Sequence, residues 1–255
     1  MPGIVEGKVV LVTGGGSGIG RATAVKLAQE GAKVMIADYV QEGGERTVKM
    51  IKDGGGTASF VQADVSITPQ VEAMVAKTVE VYGRIDGAFN NAGIEGVGRG
   101  GDTVKCSEEN FDRTIAINLK GVWLCMKYEI PQMLKRGGGS IVNTASAVGL
   151  VGMAGGPAYT AAKHGVVGLT RTAALEYATK NIRVNCVCPG AIRTPMLERI
   201  IDSGYVSEQD YIAGEPVARM GKPEEIADGV LWLLSDAASF VTGHPMAIDG
   251  GWVAR

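Results

Sequence analysis

The chain has 255 residues, enough for a sizeable core and close to the upper size of one domain. Its 45% hydrophobic and 20% charged residues exclude a disordered or collagen-like chain, and 25 basic against 27 acidic residues, net −2, remove the electrostatic footprint of a nucleic-acid-binding protein. Gly is the outlier: 38 residues, about 15% and roughly twice ordinary usage, so the backbone must turn tightly or approach something closely at many points.

The cysteines, Cys106, Cys125, Cys186 and Cys188, are too few and too scattered for a disulfide framework. Cys186 and Cys188 alternate along an apolar run and are expected on opposite faces of a strand, which is wrong for shared metal ligation. All four read as buried thiols in a reducing compartment. Met1 to Lys8 shows no basic head followed by an apolar segment, so no secretory leader is expected. The uncharged run from Gly137 to Ala162 carries Ser140, Asn143, Thr144, Ser146, Pro157 and seven Gly, which makes a membrane-spanning helix implausible. A cytoplasmic protein with no membrane or nucleic-acid partner and no metal is the expectation.

Lys8–Thr13 reads as the first strand, and Thr13-Gly14-Gly15-Gly16-Ser17-Gly18-Ile19-Gly20 follows it, opening a helix with Ala24, Leu27 and Ala28 on one face. A dinucleotide pyrophosphate needs a tight turn, backbone without Cβ to approach it, and a helix N-terminus aimed at its charge. Gly14, Gly16, Ser17, Gly18, Ile19 and Gly20 are therefore candidate cofactor contacts. The second strand, Lys33–Asp38, ends on Asp38, 18 residues after Gly20 and near the ~20-residue separation of an acid that binds ribose hydroxyls. That carboxylate would favour NAD and repel a 2′-phosphate, and neither Ser17 nor Tyr39 supplies a cation to rescue NADP.

Thr57–Asp64 is the third strand, with Asp64 placed for the adenine edge. A helix follows, with Thr68 as N-cap, Pro69 at its first position and Val71, Met74, Val75, Thr78 and Tyr82 at three- and four-residue spacing. Ile85–Asn90 is the fourth strand, and Ser140–Thr144, Ile182–Val187 and Pro245–Asp249 are three more. Strands without clean polar alternation suit a sheet covered on both faces. The alternation of strand and helix predicts an α/β fold: a single doubly wound Rossmann domain over residues 1–255, its seven-stranded parallel sheet flanked by helices. The cofactor half is expected at about 1–110 and the catalytic half at about 111–255.

Tyr159-Thr160-Ala161-Ala162-Lys163 lies in a helical stretch starting near Pro157, and the four-residue spacing puts both side chains on one face. A phenol is a poor base at neutral pH, and an adjacent ammonium favours the phenolate. Such a pair suits proton exchange with an alcohol or carbonyl while hydride moves to or from a nicotinamide. Ser146, at the end of a predicted strand, offers a hydroxyl to hold the reacting oxygen.

With Thr13-Gly14-x-x-x-Gly18-x-Gly20, Asn90-Asn91-Ala92-Gly93, Asn118, Ser146, Tyr159-x-x-x-Lys163 and Pro189-Gly190 in this order, the chain resembles the short-chain dehydrogenases/reductases in their compact form, from Val5 to Gly251. The resemblance implies that Tyr159 is the general acid/base, that Lys163 lowers its pKa and holds the nicotinamide ribose, and that Ser146 orients the substrate oxygen. It implies that Asn118 sits at a break in a long helix around Ser107–Arg136 and fixes a water for proton relay. Asn91, Ala92 and Gly93 would line the cofactor, Asp64 and Val65 would meet the adenine, and Pro189, Gly190, Ile192 and Thr194 would border the nicotinamide. It also implies a homotetramer built on the helices at Asn110–Arg136 and Tyr159–Lys180, with Trp123, Met126 and Tyr128 packing between subunits. His164 and His244 have no ligand set.

The substrate loop of such proteins corresponds here to about Thr194–Pro216 and carries Met196, Leu197, Ile200, Ile201, Tyr205 and Tyr211. With Val148 and Met153 it forms apolar walls that favour a small uncharged substrate, a cyclic secondary alcohol or its ketone. Glu95 would either bond a second oxygen of that ring or remain a solvated loop acid. The stretch Asn90–Gly96 is similar to that of NAD-dependent reductases of cyclic diketones. Three other readings compete. A 3-oxoacyl-[acyl-carrier-protein] reductase would share the Arg219–Glu225 region but usually prefers NADP. A sugar epimerase needs a longer chain. A non-enzymatic dinucleotide sensor would be expected to have lost Ser146, Tyr159 or Lys163.

Overall fold

The computed structural model describes residues 3–95 and 101–254. Seven strands, β1 (Val9–Thr13), β2 (Lys33–Asp38), β3 (Thr57–Gln62), β4 (Gly87–Asn90), β5 (Gly139–Thr144), β6 (Ile182–Pro189) and β7 (Pro245–Ile248), pair in parallel in the order β3-β2-β1-β4-β5-β6-β7. The chain order reverses between β1 and β4, which opens a crevice at the carboxyl ends of those strands. Helices α1 (Gly18–Gln29), α2 (Gln41–Asp53), α3 (Thr68–Tyr82), α4 (Glu108–Ile115), α5 (Gly121–Lys135), α6 (Pro157–Tyr177), α7 (Pro195–Asp202), α8 (Glu208–Gly214) and α9 (Pro223–Leu234) are joined by a few short 3-10 and π turns among the described residues.

The two-residue period of a strand sends alternate side chains into two separate cores. Val10 and Val12 of β1 and Val34 and Ile36 of β2 pack with Leu27 of α1, Ile51 of α2 and Ile226 and Val230 of α9. Leu11 and Met35 point the other way, onto Met74 of α3, Met133 of α5 and Val166 of α6. All five residues of β1 are buried, as a sheet covered on both faces requires.

The same period corrects the reading of the cysteines. Cys186 and Cys188, two residues apart, share one face of β6 in one core, and their thiols act on each other's ionisation. Cys125 is also buried, but Cys106 is only half-buried. Met126 is 3% exposed within its own chain and so is unavailable for subunit packing, whereas Trp123 is 43% exposed. Helix α3 begins one residue earlier than expected: Ile67 is its N-cap, Thr68 its first residue, and no side chain caps it. Strand β3 stops at Gln62, leaving Asp64 in the loop.

The expected break in the long helix is a π-helical turn at Ala116–Lys120 between α4 and α5, closed by a bond from Gly121 N to Ala116 O. Such turns insert one residue into an α-helix and often mark functional sites. Asn118 sits at its centre, fully buried.

Candidate active site

The glycine turn is built by exclusion. Gly14 has φ +63°, and a Cβ there would lie 2.9 Å from Ala92 Cα, while a Cβ on Gly20 would collide with Gly14 O. Asn91 locks the turn to β4: its Nδ2 donates to Thr13 O at 3.1 Å and Gly14 O at 3.3 Å, and Thr13 Oγ1 accepts from the backbone N–H groups of Asn91 and Ala92. The Asn91 side chain is thus spent on the turn. Ser17 is the N-cap of α1 but makes no side-chain cap bond, so the first N–H groups of α1, at Gly18, Ile19 and Gly20, gain nothing from it.

Asp38 lies beside this turn, with Oδ2 accepting from Gly16 N at 2.8 Å and Oδ1 from Val40 N at 2.9 Å. A carboxylate has further lone pairs, so both oxygens remain able to accept ribose hydroxyls. One cation escaped sequence reasoning. Arg21 donates to Gly16 O and Thr47 Oγ1, and Asp38 and Arg46 both act on its charge. Its signal was weak because it sits past the turn, on a helix face that spacing alone cannot orient. Asp64 Oδ1 accepts from Ser66 N and Ser66 Oγ, and Val65 is buried against Gly121.

Opposite the glycines, Pro189 ends β6 and the loop after it carries Gly190, Ile192 and Thr194. Glu215, buried at the end of α8, accepts from Ala191 N at 2.8 Å and was not foreseen from sequence. Thr194 caps α7 through Leu197 N and stands against Gly18, so the two loops face each other across the crevice. A chain of nucleotide shape fits this cradle, which side chains at the glycines would fill.

The catalytic candidates converge at the other end. Ser146 follows β5 in extended backbone and caps a 3-10 turn at Ala147–Gly149 through Val148 N. Burial pushes the Tyr159 phenol up to about 12, with the neighbouring Ser146 hydroxyl acting in the opposite direction. Tyr211 of α8 also acts on the phenol electrostatically, which places that lid residue at the site. Lys163 is 4% exposed, with Nζ donating to Thr144 O at 2.8 Å and standing 5.4 Å from the Tyr159 ring centroid. Burial lowers its ammonium to about 8. In the protein itself desolvation therefore outweighs the opposing influence of the Ser146 hydroxyl on the phenol, and the shift is opposite to the direction expected from spacing.

Asn118 pairs with the Ile94 backbone in both directions, Nδ2 to O at 2.9 Å and N to Oδ1 at 2.8 Å, and Gly93 lies against it. It ties the segment after β4 to the π-turn. His164 faces away and bonds Thr160 O.

Lid helices α7 and α8 bring apolar residues over this floor: Ile200 is buried and Met196, Leu197 and Tyr211 half-buried, while Val148 is buried and Met153 half-buried on the opposing loop. Glu95 is no solvated acid. Arg199 donates to its carboxylate at 3.1 and 3.5 Å, bridging the lid to the segment after β4. Arg193 pairs with Glu208, so neither arginine turns inward. Gly96, the last residue of the Asn90–Gly96 stretch, lies outside the described residues. Among the described residues no cluster of metal-ligating side chains exists, and no helix is long and apolar enough to cross a membrane.

A glycine cradle at a topological switch point, an acid at the end of β2 and a Ser–Tyr–Lys group at the cradle's far end define a nicotinamide-dinucleotide-dependent oxidoreductase. Residues 14–253 match the family described as enoyl-(acyl carrier protein) reductase. The chain is 48% identical over 251 residues to 2,5-dichloro-2,5-cyclohexadiene-1,4-diol dehydrogenase of Sphingobium indicum, covering 98% of each. It is 44% identical over 248 residues to cyclohexanol dehydrogenase of an Acinetobacter strain, covering 97% of this chain and 96% of the other. The crystal structure of levodione reductase superposes with a TM-score of 0.93 at 45% identity, over 97% of this chain and 98% of that one. The chain belongs to the short-chain dehydrogenase/reductase family, and it is an oxidoreductase acting on CH–OH groups.

Proposed function

We propose that the protein interconverts a small, uncharged, cyclic secondary alcohol and its ketone with NAD(H), the whole chain acting as one domain. The observation that carries this is the meeting of Ser146, Tyr159 and Lys163 at the end of the glycine cradle. The bound nicotinamide supplies the hydride chemistry; every proton step falls to the chain. Tyr159 gives a proton to the carbonyl oxygen in reduction and removes one from the alcohol in oxidation, and the Ser146 hydroxyl holds that oxygen. Lys163 supplies positive charge near the phenol and would hold the nicotinamide ribose, and Asn118 would fix a relay water at the π-turn.

Asp38 favours NAD over NADP. Arg21 does not reverse this, because its guanidinium is engaged by Gly16 O and Thr47. The apolar lid supports an uncharged substrate: covering a ring gains roughly 25 cal/mol per Å² buried, whereas a carboxylate or phosphate there would be desolvated and unpaired. Arg199 and Arg193, both held by carboxylates, leave the lid without a ready anion partner. The names of the relatives point the same way, to a cyclic diol, cyclohexanol and levodione. The acyl-carrier-protein reading rests on the description of the matching family and on the name of another relative, a 3-oxoacyl-[acyl-carrier-protein] reductase of Thermotoga maritima, 43% identical over 249 residues. A homotetramer fits the exposed Phe111, Trp123 and Leu175 on the helices expected at its interfaces, and a cytoplasmic location fits the free thiols.

The test is a side-by-side panel of cyclohexanol, a cyclic diol and a 3-hydroxyacyl thioester with NAD and with NADP. The cyclic alcohols with NAD should give the highest kcat/KM. An acyl thioester with NADP as the best pair would replace this reading with the fatty-acid reductase.

A further inference from the structure

The core beneath the catalytic floor holds a carboxyl group that the chemistry above does not use. Glu129, on α5, is fully buried. Its Oε2 accepts from Asn90 Nδ2 at 3.0 Å, and the same Nδ2 donates to Asn143 Oδ1 at 3.1 Å. Asn143 Nδ2 donates in turn to Thr170 Oγ1 at 3.0 Å and to Met126 Sδ at 3.4 Å. Asn90 ends β4 and leads into Asn91–Gly93. Asn143 precedes Ser146 by three residues on β5, and Thr170 follows Lys163 by about two turns of α6. One buried chain of side chains therefore joins the cofactor wall, the Ser146 strand and the helix of the catalytic pair.

That chain is short of donors. Both protons of each amide are committed, yet Glu129 Oε1 and Asn90 Oδ1 are buried without a hydrogen-bond partner among the described residues. Among the described residues no cation compensates the carboxyl. From α6 comes Lys163, whose ammonium is held by Thr144 O. Helix α3 presents Val71, Met74, Val75 and Thr78, whose hydroxyl bonds Met74 O. From β6 come the thiols of Cys186 and Cys188, and on α5 itself Cys125 feels the charge of Glu129. A lone buried carboxylate with too few donors is costly, and one added proton removes the charge and supplies a donor.

We propose that Glu129 works as a neutral carboxylic acid, a positioning residue whose proton completes this chain and so fixes the cofactor wall against the catalytic pair. Burial raises its carboxyl from 4.5 to about 7, with the Asn90 bond pulling the other way. The folded protein thus keeps a proton that the unfolded chain loses. The stability tied to that proton is whole below pH 4.5 and is lost as pH rises from there to about 7.

The test compares the wild type with Glu129→Gln and Glu129→Leu by thermal unfolding from pH 5 to 9 and by NADH fluorescence titration. Glutamine is neutral and carries the missing donor, so Glu129→Gln should melt at or above the wild type. Its advantage should grow from pH 5 to about 7.5 and then level off. Its NADH affinity should stay within about twofold, whereas Glu129→Leu should bind NADH up to about tenfold more weakly at pH 6, the upper size of one net hydrogen bond. Core filling alone would move Tm and leave that affinity untouched.

A Glu129→Gln protein that melts well below the wild type at every pH would make the carboxylate the working form and overturn the proposal. So would a difference that does not vary with pH, or a folded Glu129→Leu with wild-type NADH affinity. If Glu129→Leu does not fold, Glu129→Gln decides alone. Neither readout needs an alcohol, so failure to find a substrate bears only on the proposed function.

Discussion

The glycine turn between β1 and α1 is held by the Asn91 amide, the Thr13 hydroxyl and the Asp38 carboxylate, in a space where added atoms collide. The lid formed by α7 and α8 closes on the same crevice but is held by ion pairs with substantial solvent exposure, Arg199–Glu95 and Arg193–Glu208, and by half-buried apolar side chains. The first arrangement resists salt and tolerates almost no substitution, because buried bonds and steric fit are local and unscreened. The second is adjustable, because exposed ion pairs contribute little and are screened. The difference separates what any member of this fold must keep from what can be varied to admit a new substrate. Substitutions on the floor should therefore have large effects, and those in the lid small ones.

The largest effect is expected at Tyr159. Tyr159→Phe keeps the ring and removes the exchangeable proton, so turnover should fall ~10²–10⁴-fold, the usual share of acid/base catalysis. NADH affinity, read by fluorescence, should stay near the wild-type value. A variant retaining more than about a tenth of the wild-type rate would remove Tyr159 from its role.

Asp38 comes next. The wild type should prefer NAD over NADP by at least ~100-fold in kcat/KM, since a 2′-phosphate would face a carboxylate. Asp38→Ala should narrow the gap mainly by weakening NAD, because the carboxylate also anchors Gly16 N. Equal use of both cofactors by the unmodified protein overturns the assignment.

Lys163 shows what the rigid floor costs. Its ammonium is lowered from 10.5 to about 8, so the folded protein gives up this proton more readily than the unfolded chain. The destabilisation is therefore full below pH 8 and fades as pH rises towards 10.5. Lys163→Met should abolish activity and yet raise stability at pH 7 by about 1–2 kcal/mol, after allowing for the orphaned Thr144 carbonyl. In thermal melts that is a gain of about 2–4 °C, shrinking above pH 8. A variant that melts lower at pH 7 would show that the bond to Thr144 O outweighs the desolvation.

The floor was far more legible in the sequence than the lid. Strand runs, glycines and the Tyr159–Lys163 spacing are local patterns, and each strand was read to within about two residues at either end. What eluded the sequence was tertiary pairing. Nothing local says that Arg199 meets Glu95, that Glu215 holds Ala191 N, or that Glu129 of a long helix meets Asn90 of a strand 39 residues earlier. The cysteine error was different in kind: the strand was found, but its period was misapplied. The phenol's direction was misjudged because spacing reports a neighbouring charge and not how deeply the group is buried.

The smallest effect, and the one that tests the lid side of the contrast, belongs to Arg199. Its guanidinium is more than half exposed while the Glu95 side chain is 15% exposed, so the pair sits at the rim of the site. Rim pairs contribute little, and Arg199→Ala should change kcat/KM for a simple cyclic alcohol by no more than about fivefold, mostly in KM. High salt should reproduce part of that change in the wild type and leave the variant unaffected. Loss of the guanidinium also frees one partner of the Glu95 carboxylate, so a cyclic diol should gain on cyclohexanol, its second hydroxyl donating where Arg199 did. Glu95→Ala should remove that gain. If Arg199→Ala instead lowers kcat as steeply as Tyr159→Phe, the lid is part of the rigid floor and the division drawn between them fails.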